Sequence, residues 1–405
     1  MNYLWGLGGI LVVLGIGYIF SANRKKINWR TVLGGLAIQL LFAFIVLKWD
    51  WGKEQLQNLT MVVNAIIDYS RTGIDFLFGG LYTKESNVTF VFAFNVLLVV
   101  IFFSSLISVL YYLNVMQFFI KIIGGALSKL LGTRKAESMS AAANIFVGQT
   151  EAPLVIRPYL NKMSESELFA VMTGGLASVA GAVLVGYSLL GVPLEYLLAA
   201  SFMAAPAGLV MAKLFVPETD TASEPEEFKM EADDESANVI DAAARGAGVG
   251  LQLALNIGAM LLAFIALIAM LNGILGLVGS WFGAENLSLE LILGYVFAPL
   301  AFAIGTPWEE AIQAGNYIGQ KLVINEFVAY SNFAPEIPNL SEKTVAILSF
   351  ALCGFANISS LGILLGGLGS LAPDRRADIA RLGIRSVIAG ALASLLSAAI
   401  AGMLI

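Results

Sequence analysis

The chain has 405 residues, 58% of them hydrophobic and 13% charged, against roughly 45–50% and 25% in soluble domains. Histidine is absent and cysteine occurs once, at Cys353, which excludes histidine-based triads, histidine-ligated metals, disulfide frameworks and CxxC redox or zinc sites. A mean hydropathy of +0.81 describes a polytopic membrane protein whose main solvent is the bilayer.

The net charge of −6 hides an uneven distribution. Residues 216–242 hold ten carboxylates and Lys229, a net of −9, which leaves 22 bases against 19 acids in the remainder. The acidic stretch reads as a solvated linker between membrane segments, with a cation-attracting antechamber as the alternative. No basic patch of the kind that binds nucleic acid is present.

In chain order, apolar runs of about 20 residues, enough to span a bilayer, lie at 3–20, 31–49, 92–113, 168–190, 196–215, 248–278, 344–371 and 386–405. The first carries its charges after the apolar run and shows no small-residue cleavage site, so it reads as a span and not as a signal peptide. Arg24, Lys25, Lys26 and Arg30 follow it, which places that loop in the cytoplasm and the N-terminus outside. Alternation puts 50–91 outside and 114–140 inside, where Lys121, Lys129, Arg134 and Lys135 agree. Arg375, Arg376, Arg381 and Arg385 again mark an inner loop, and eight spans leave both termini outside the cytoplasm. Segment 115–135 alternates apolar faces with lysines at helical spacing. It reads as an interfacial amphipathic helix on the cytoplasmic side, or alternatively as a buried linker helix.

Two stretches are too polar for simple spans and too apolar for loops: 140–163 and 292–333. In each, apolar flanks surround Gly, Pro, amides and carboxylates. Irregular backbone of this sort cannot face lipid, but it is tolerated as a re-entrant hairpin buried in protein or lining a wet cavity. Each is followed by a span interrupted by small residues, 172–187 and 351–369. Hairpin plus broken helix therefore occurs twice, entering from opposite faces. The expected fold is all-α, with eight transmembrane helices and two oppositely oriented re-entrant hairpins in an inverted repeat, and with substrate held near the midplane by the discontinuous helices.

A charge at membrane depth is by default functional. Gln149, Thr150 and Glu151 sit at the first tip, before Pro153. Gln149 offers donor and acceptor and Glu151 two acceptor oxygens, which suits the edge of a planar heterocycle or amide; a loop outside the membrane is the plain alternative. Asn325 and Glu326 lie in the apolar run LVINEFVAY, and Asn357, Ser359 and Ser360 in the second broken helix beside Phe355. A carboxylate, an amide and hydroxyls suit a polyhydroxylated group such as a sugar, with an aromatic ring against its apolar face. Asn and Ser also serve as glue between membrane helices. Asn144, Val147, Ser178 and Val179 together offer an amide, carbonyls and a hydroxyl, oxygen ligands that suit a hard cation such as Na⁺.

Several enzyme patterns fail. GYSLL at 186–190 misses the GxSxG elbow at its fifth position, and no histidine is present to act as base. GLGSLA at 367–372 has GxGxxA form but ends an apolar span and follows no strand. Cys353 reads as a small packed residue. A channel would need a continuous polar pore, against which the paired hairpins argue.

GQTEAPL (148–154), NEFVAY (325–330) and CGFANISS (353–360), in this order, resemble the concentrative nucleoside transporters, specifically the bacterial sodium-coupled branch. The resemblance covers nearly the whole chain, to LGGLGSLAPDRR (365–376) and the last helix. It implies a multi-pass inner-membrane homotrimer that imports nucleosides such as uridine with Na⁺ as coupling ion. It implies base contacts from Gln149, Thr150 and Glu151 with Val183 packing on the base. Ribose contacts would come from Glu326, Asn357 and Ser360 with Phe355 beside them, and a sodium site from Asn144, Val147, Ser178 and Val179. GQTE, as against the GQSE of proton-coupled relatives, favours sodium; proton coupling through Glu151 or Glu326 is the alternative. In domain terms, 1–113 would supply three scaffold spans and an external segment. Residues 114–215 would supply the interfacial helix, first hairpin and spans four and five, and 216–247 the acidic cytoplasmic linker. Residues 248–290 would supply the sixth, scaffold span with an external segment, and 291–405 the second hairpin and last two spans.

Overall fold

The computed structural model describes residues 2–82, 91–220, 236–284 and 286–405, and every regular element among them is helical. Three helices open the chain: α1 (Asn2–Ile19), α2 (Trp29–Leu47) and α3 (Asp50–Phe78). The basic loop after α1 caps it, since the Arg24 guanidinium donates to the carbonyls of Ile19 at 2.8 Å and Tyr18 at 3.1 Å. These are two of the orphan acceptors that every helix end leaves. The segment 50–91, expected only as an external connection, is instead largely the 29-residue helix α3. Residues 83–90 fall outside the described residues.

A π-turn over Ala93–Leu97 leads into α4 (Leu98–Tyr112), and α5 (Val115–Leu131) matches the amphipathic segment. Next come α6 (Lys135–Ala143), a turn, a 3-10 segment (Ala152–Lys162), α7 (Glu165–Ala177), α8 (Gly181–Leu189) and α9 (Leu194–Phe215). Pro153 and Pro158 lie in the 3-10 segment, where missing amide donors favour short, loosely bonded turns over an α-helix. The second half runs α10 (Val239–Ser280), α11 (Leu289–Ala303), α12 (Trp308–Val323), α13 (Glu326–Phe333), a 3-10 segment (Ala334–Asn339), α14 (Glu342–Leu352), α15 (Ile358–Leu371) and α16 (Arg376–Leu404). The order from α6 to α9 is repeated by that from α12 to α16: arm, turn, arm, broken helix, long helix.

Each predicted span coincides with a helix or a broken pair. Six described helical stretches are long and apolar enough to cross a membrane on their own, while α1 and α15 are shorter. The stretch 292–333 departs from the expectation of a single hairpin, because it contains two breaks. The first bends α11 against α12 by 116° at Gly305, whose φ of +114° only glycine adopts without strain. The second, at Ile324–Asn325, separates α12 from α13 and sets Glu326 at the start of α13.

Composition does not tell the inner helices from the outer ones, since both are apolar all round. Packing does. The α7–α8 pair, α9 and α16 are almost entirely buried, whereas little of α10 is. At 42 residues and 1.5 Å per residue, α10 is about 63 Å long, twice the hydrocarbon thickness. The acidic stretch is docked at its start: the Ser166 hydroxyl donates to the Val216 carbonyl at 2.6 Å and the Ser164 hydroxyl to Glu218 at 2.8 Å. Burial disfavours the Glu218 charge, but Lys213, the Asp220 amide and Ser164 outweigh it and hold the carboxyl below its usual range. Residues 221–235, the rest of the expected linker's acidic run, lie outside the described residues.

Helices α11 and α12 approach through glycine. A Cβ at Gly315 would stand 2.6 Å from the Ala298 nitrogen and 2.7 Å from the Gly294 carbonyl oxygen, contacts that only backbone movement relieves. Gly315→Ala should therefore lower stability by roughly 1–3 kcal/mol, seen as earlier thermal unfolding of detergent-purified protein. Gly73→Ala, on exposed α3 with nothing within 4 Å, should be neutral or stabilising by up to about 1 kcal/mol. Equal behaviour of the two variants would refute this packing.

Candidate functional site

The two helix breaks meet. The Phe355 amide donates to the Ser178 carbonyl at 3.1 Å, joining the gap between α14 and α15 to that between α7 and α8. Gly354 lies flat on α7: a Cβ there would come within 2.9 Å of the Ala177 carbonyl oxygen. Each hairpin turn is then tied to the crossing. The Gly181 amide donates to Phe146 O at 3.0 Å and the Ser201 hydroxyl of α9 to Ile145 O at 2.8 Å, anchoring the first turn.

The second turn is anchored by side chains. Glu326 is buried; it accepts from the Tyr187 hydroxyl at 3.1 Å and from the Asn357 amide at 2.9 Å. Asn357 is oriented by capping α15, since its Oδ1 accepts from the Ser360 amide at 2.8 Å and the Ser359 hydroxyl at 2.7 Å, leaving Nδ2 for Glu326. Ser360 is buried and Phe355 half-buried. Asn325, by contrast, has its amide oxygen committed to capping α13, at 2.9 Å from the Val328 amide. Below Glu326 the rings of Tyr187, Phe327 and Tyr330 pack at centroid distances of 4.9 and 4.4 Å from Tyr187. Val183 is buried one turn before Tyr187 on the same face of α8.

The first turn brings together acceptor atoms that no donor among the described residues meets. Asn144 Nδ2 donates to Ser140 O at 3.0 Å, while Asn144 Oδ1, Gln149 Oε1 and Glu151 Oε2 are buried without a hydrogen-bond partner. Gln149 lies on Gly175, where a Cβ would stand 2.8 Å from Gln149 Cβ and 3.8 Å from Asn144 Oδ1. The Ser178 hydroxyl donates to Gly174 O at 3.0 Å, so its own lone pairs remain available. The carbonyls of Val147 and Val179 accept no hydrogen bond among the described residues. Buried polar atoms are nearly always bonded, and a cluster that is not has the chemistry of a ligand cradle. Thr150 packs on α15: a Cβ at Gly367 would come within 2.6 Å of its methyl. Close approach is thus the use of Gly367 in GLGSLA.

No cluster of three or more His, Cys, Asp or Glu occurs among the described residues; the unpartnered oxygens here are the Asn144 and Gln149 amides and the Glu151 carboxylate. An open polar cavity of about 450 Å³ beside α12, lined by Glu290, Gln313, Asn316, Tyr317, Gln320, Asn332 and Glu336, includes none of these residues. Two members of the neighbourhood escape sequence reading. Tyr187 carried the signal of a hydroxyl in an apolar helix, which requires a partner. Lys321, buried with Nζ donating to Ala351 O at 2.8 Å, carried that of a cation within an apolar run.

Comparison with known proteins decides the family. Models described as the N-terminus and C-terminus of Na⁺-dependent nucleoside transporters match residues 8–81 and 196–402, and one described as nucleoside recognition matches 93–193. The chain belongs to the concentrative nucleoside transporters. It is 50% identical to the nucleoside permease NupC of Helicobacter pylori, over 99% of this chain and 98% of that one. It is 40% identical to human solute carrier family 28 member 3, covering 99% of this chain and 60% of that longer protein. Among solved structures, CNTnw in an inward-facing substrate-bound state is 56% identical with a TM-score of 0.95, covering 100% and 98% of the two chains. A doubly substituted CNTnw in an outward-facing state is 55% identical with a TM-score of 0.97, covering 100% and 98%. As a member of this family the chain is a membrane transporter, not an enzyme.

In this transporter Tyr187→Phe removes a donor from buried Glu326. The folded state should lose about 1–3 kcal/mol, measured as a lower denaturation midpoint of purified protein. An unchanged midpoint would mean that the Tyr187–Glu326 bond contributes nothing.

Proposed function

We propose that this transporter is a sodium-coupled symporter that imports nucleosides such as uridine by alternating access, as a homotrimer in the bacterial inner membrane with both termini outside the cytoplasm. The observation that carries the reading is the cluster of unpartnered buried acceptors, Asn144 Oδ1, Gln149 Oε1 and Glu151 Oε2, beside the breaks where Glu326 and Asn357 are also held. Gln149, Thr150 and Glu151 are assigned to the base, with Val183 packing on it. Glu326, Asn357 and Ser360 are assigned to the ribose, with Phe355 beside it. Sodium, the co-transported cation, is assigned to the Asn144 and Ser178 side chains and the carbonyls of Val147 and Val179.

This donor set suits sodium, because it offers neutral oxygens at an interrupted helix, a usual source of such sites. Gln149 and Asn144 both lie against Gly175, so an ion at Asn144 stiffens the turn that presents Gln149. Ordering the turn for one ligand lowers the cost of binding the other, and the coupling is reciprocal. The membrane potential adds about 2.3 kcal/mol per charge per 100 mV to inward movement.

The test is uptake of labelled uridine by purified protein in liposomes. Accumulation should follow an inward sodium gradient, with unlabelled internal uridine stimulating exchange of unchanged solute. Uptake that follows a pH gradient with sodium absent would overturn sodium coupling. Asn144→Ala should shift the sodium dependence to higher concentration, with transport partly restored at high sodium. Glu326→Gln should weaken uridine binding by an amount equivalent to roughly 1.5–3 kcal/mol, the worth of a charge-assisted hydrogen bond; near-normal affinity would refute the ribose assignment.

A further inference from the structure

The two repeats are built alike but finished differently. In the first, the end of α6 faces the end of α7: Asn144 caps α6, and its side chain lies 3.5 Å from where a Cβ of Gly174 would stand. In the second, α12 likewise packs on α14, and Lys321, in the last turn of α12, donates its Nζ across to Ala351 O at 2.8 Å. Ala351 lies in the last turn of α14, directly before the break at 353–357.

The hydrogen-bond balance of the two places is opposite. Around the first break Ser140 Oγ, Asn144 Oδ1, Gln149 Oε1, Glu151 Oε2 and Thr173 Oγ1 are buried without partners. No Lys or Arg side chain donates a hydrogen bond to residues 144–151 or 174–181 among the described residues. Around the second break no described buried side-chain atom of residues 321–330 or 349–360 lacks a partner. Glu326 has its two donors, Tyr330 donates to Ser349 O at 2.8 Å, and Lys321 takes the Ala351 carbonyl. Lys321 makes no direct ion pair among the described residues; the Glu326 carboxylate lies close enough to interact with it electrostatically, but the hydrogen bond of its ammonium goes to the Ala351 carbonyl. A helix C-terminus carries partial negative charge and favours a cation, and carbonyl oxygens accept an ammonium as they accept a sodium ion.

We propose that the Lys321 ammonium is a tethered cation, holding the second break as the coupling ion holds the first, so that one repeat takes its cation from solution and the other from its own chain. This rests on the sodium reading above. Lys321 is a positioning residue: through Ala351 it fixes the end of α14 from which Phe355 and Asn357 follow, and with Glu326 it clamps both sides of the α14–α15 break against the α12–α13 turn.

The experiment measures uridine binding and sodium-dependent thermal stabilisation of purified protein, unsubstituted and with Lys321→Met, Lys321→Arg and Lys321→Asn. In the unsubstituted protein, uridine binding should depend on sodium to first order. Lys321→Met should weaken uridine binding by more than about tenfold at saturating sodium, while sodium without uridine still stabilises the protein, because the first break is untouched. That retained response also shows that the variant is folded. Lys321→Arg, keeping a charge, should remain within about threefold of the unsubstituted protein. Lys321→Asn replaces the ammonium at the second break by a neutral amide of the kind Asn144 offers at the first, and its sodium dependence should steepen towards second order. Near-normal uridine binding by Lys321→Met, or equal losses in the Met and Arg variants, would overturn the proposal while leaving the sodium reading intact. Absence of any sodium stabilisation in the unsubstituted protein would overturn both.

Discussion

A helix interrupted inside a membrane exposes amides and carbonyls that lipid cannot satisfy, and the rest of this molecule follows from how that cost is met. Two broken helices are laid across one another so that each helps to satisfy the other, the Phe355 amide on the Ser178 carbonyl. Gly354 makes the crossing possible, because a side chain there would strike Ala177 and Ser394. The hairpin turns close over the same place, one through backbone bonds from Gly181 and the other through Glu326. Around this polar centre the surrounding helices, α7 to α9 and α16, are buried, and the long α10 is left on the outside.

The centre is complete on one side and open on the other. Glu326, Asn357 and Tyr187 satisfy each other, which positions the carboxylate without consuming all its acceptor capacity. The first turn keeps acceptors unpaired, and such atoms are costly to bury unless something arrives to meet them. A solute and an ion that do so are bound more tightly together than apart, which is the elementary requirement for coupling.

Much of this was legible in the residues alone. The eight spans were visible as apolar length, and the two irregular regions as polar residues where none should be tolerated. The repeated order of hairpin and broken helix singles out Glu151, Glu326 and Asn357, of which the fold joins Glu326 to Asn357 and buries Glu151 in the first turn. What escaped was whatever depends on contact across the chain. Tyr187 sits in an apolar run, and its partner is 139 residues away. Lys321 precedes Glu326 by five positions, yet its role is set by Ala351 on another helix. The second break within 292–333 was missed because a bend at Gly305 and a cap at Asn325 both read as turn chemistry in one polar stretch. The docking of Glu218 was missed because an acidic run looks solvated until Lys213 and Ser164 are placed beside it.

The central claim is that the first turn and the crossed breaks form one site in which ion and solute stabilise each other. Calorimetric titration of the purified transporter with uridine in sodium and in choline buffers, paired with titration of sodium with and without uridine, tests this most directly. Each ligand should tighten the other by the same factor, at least about fivefold. A uridine affinity that is identical with and without sodium would contradict it.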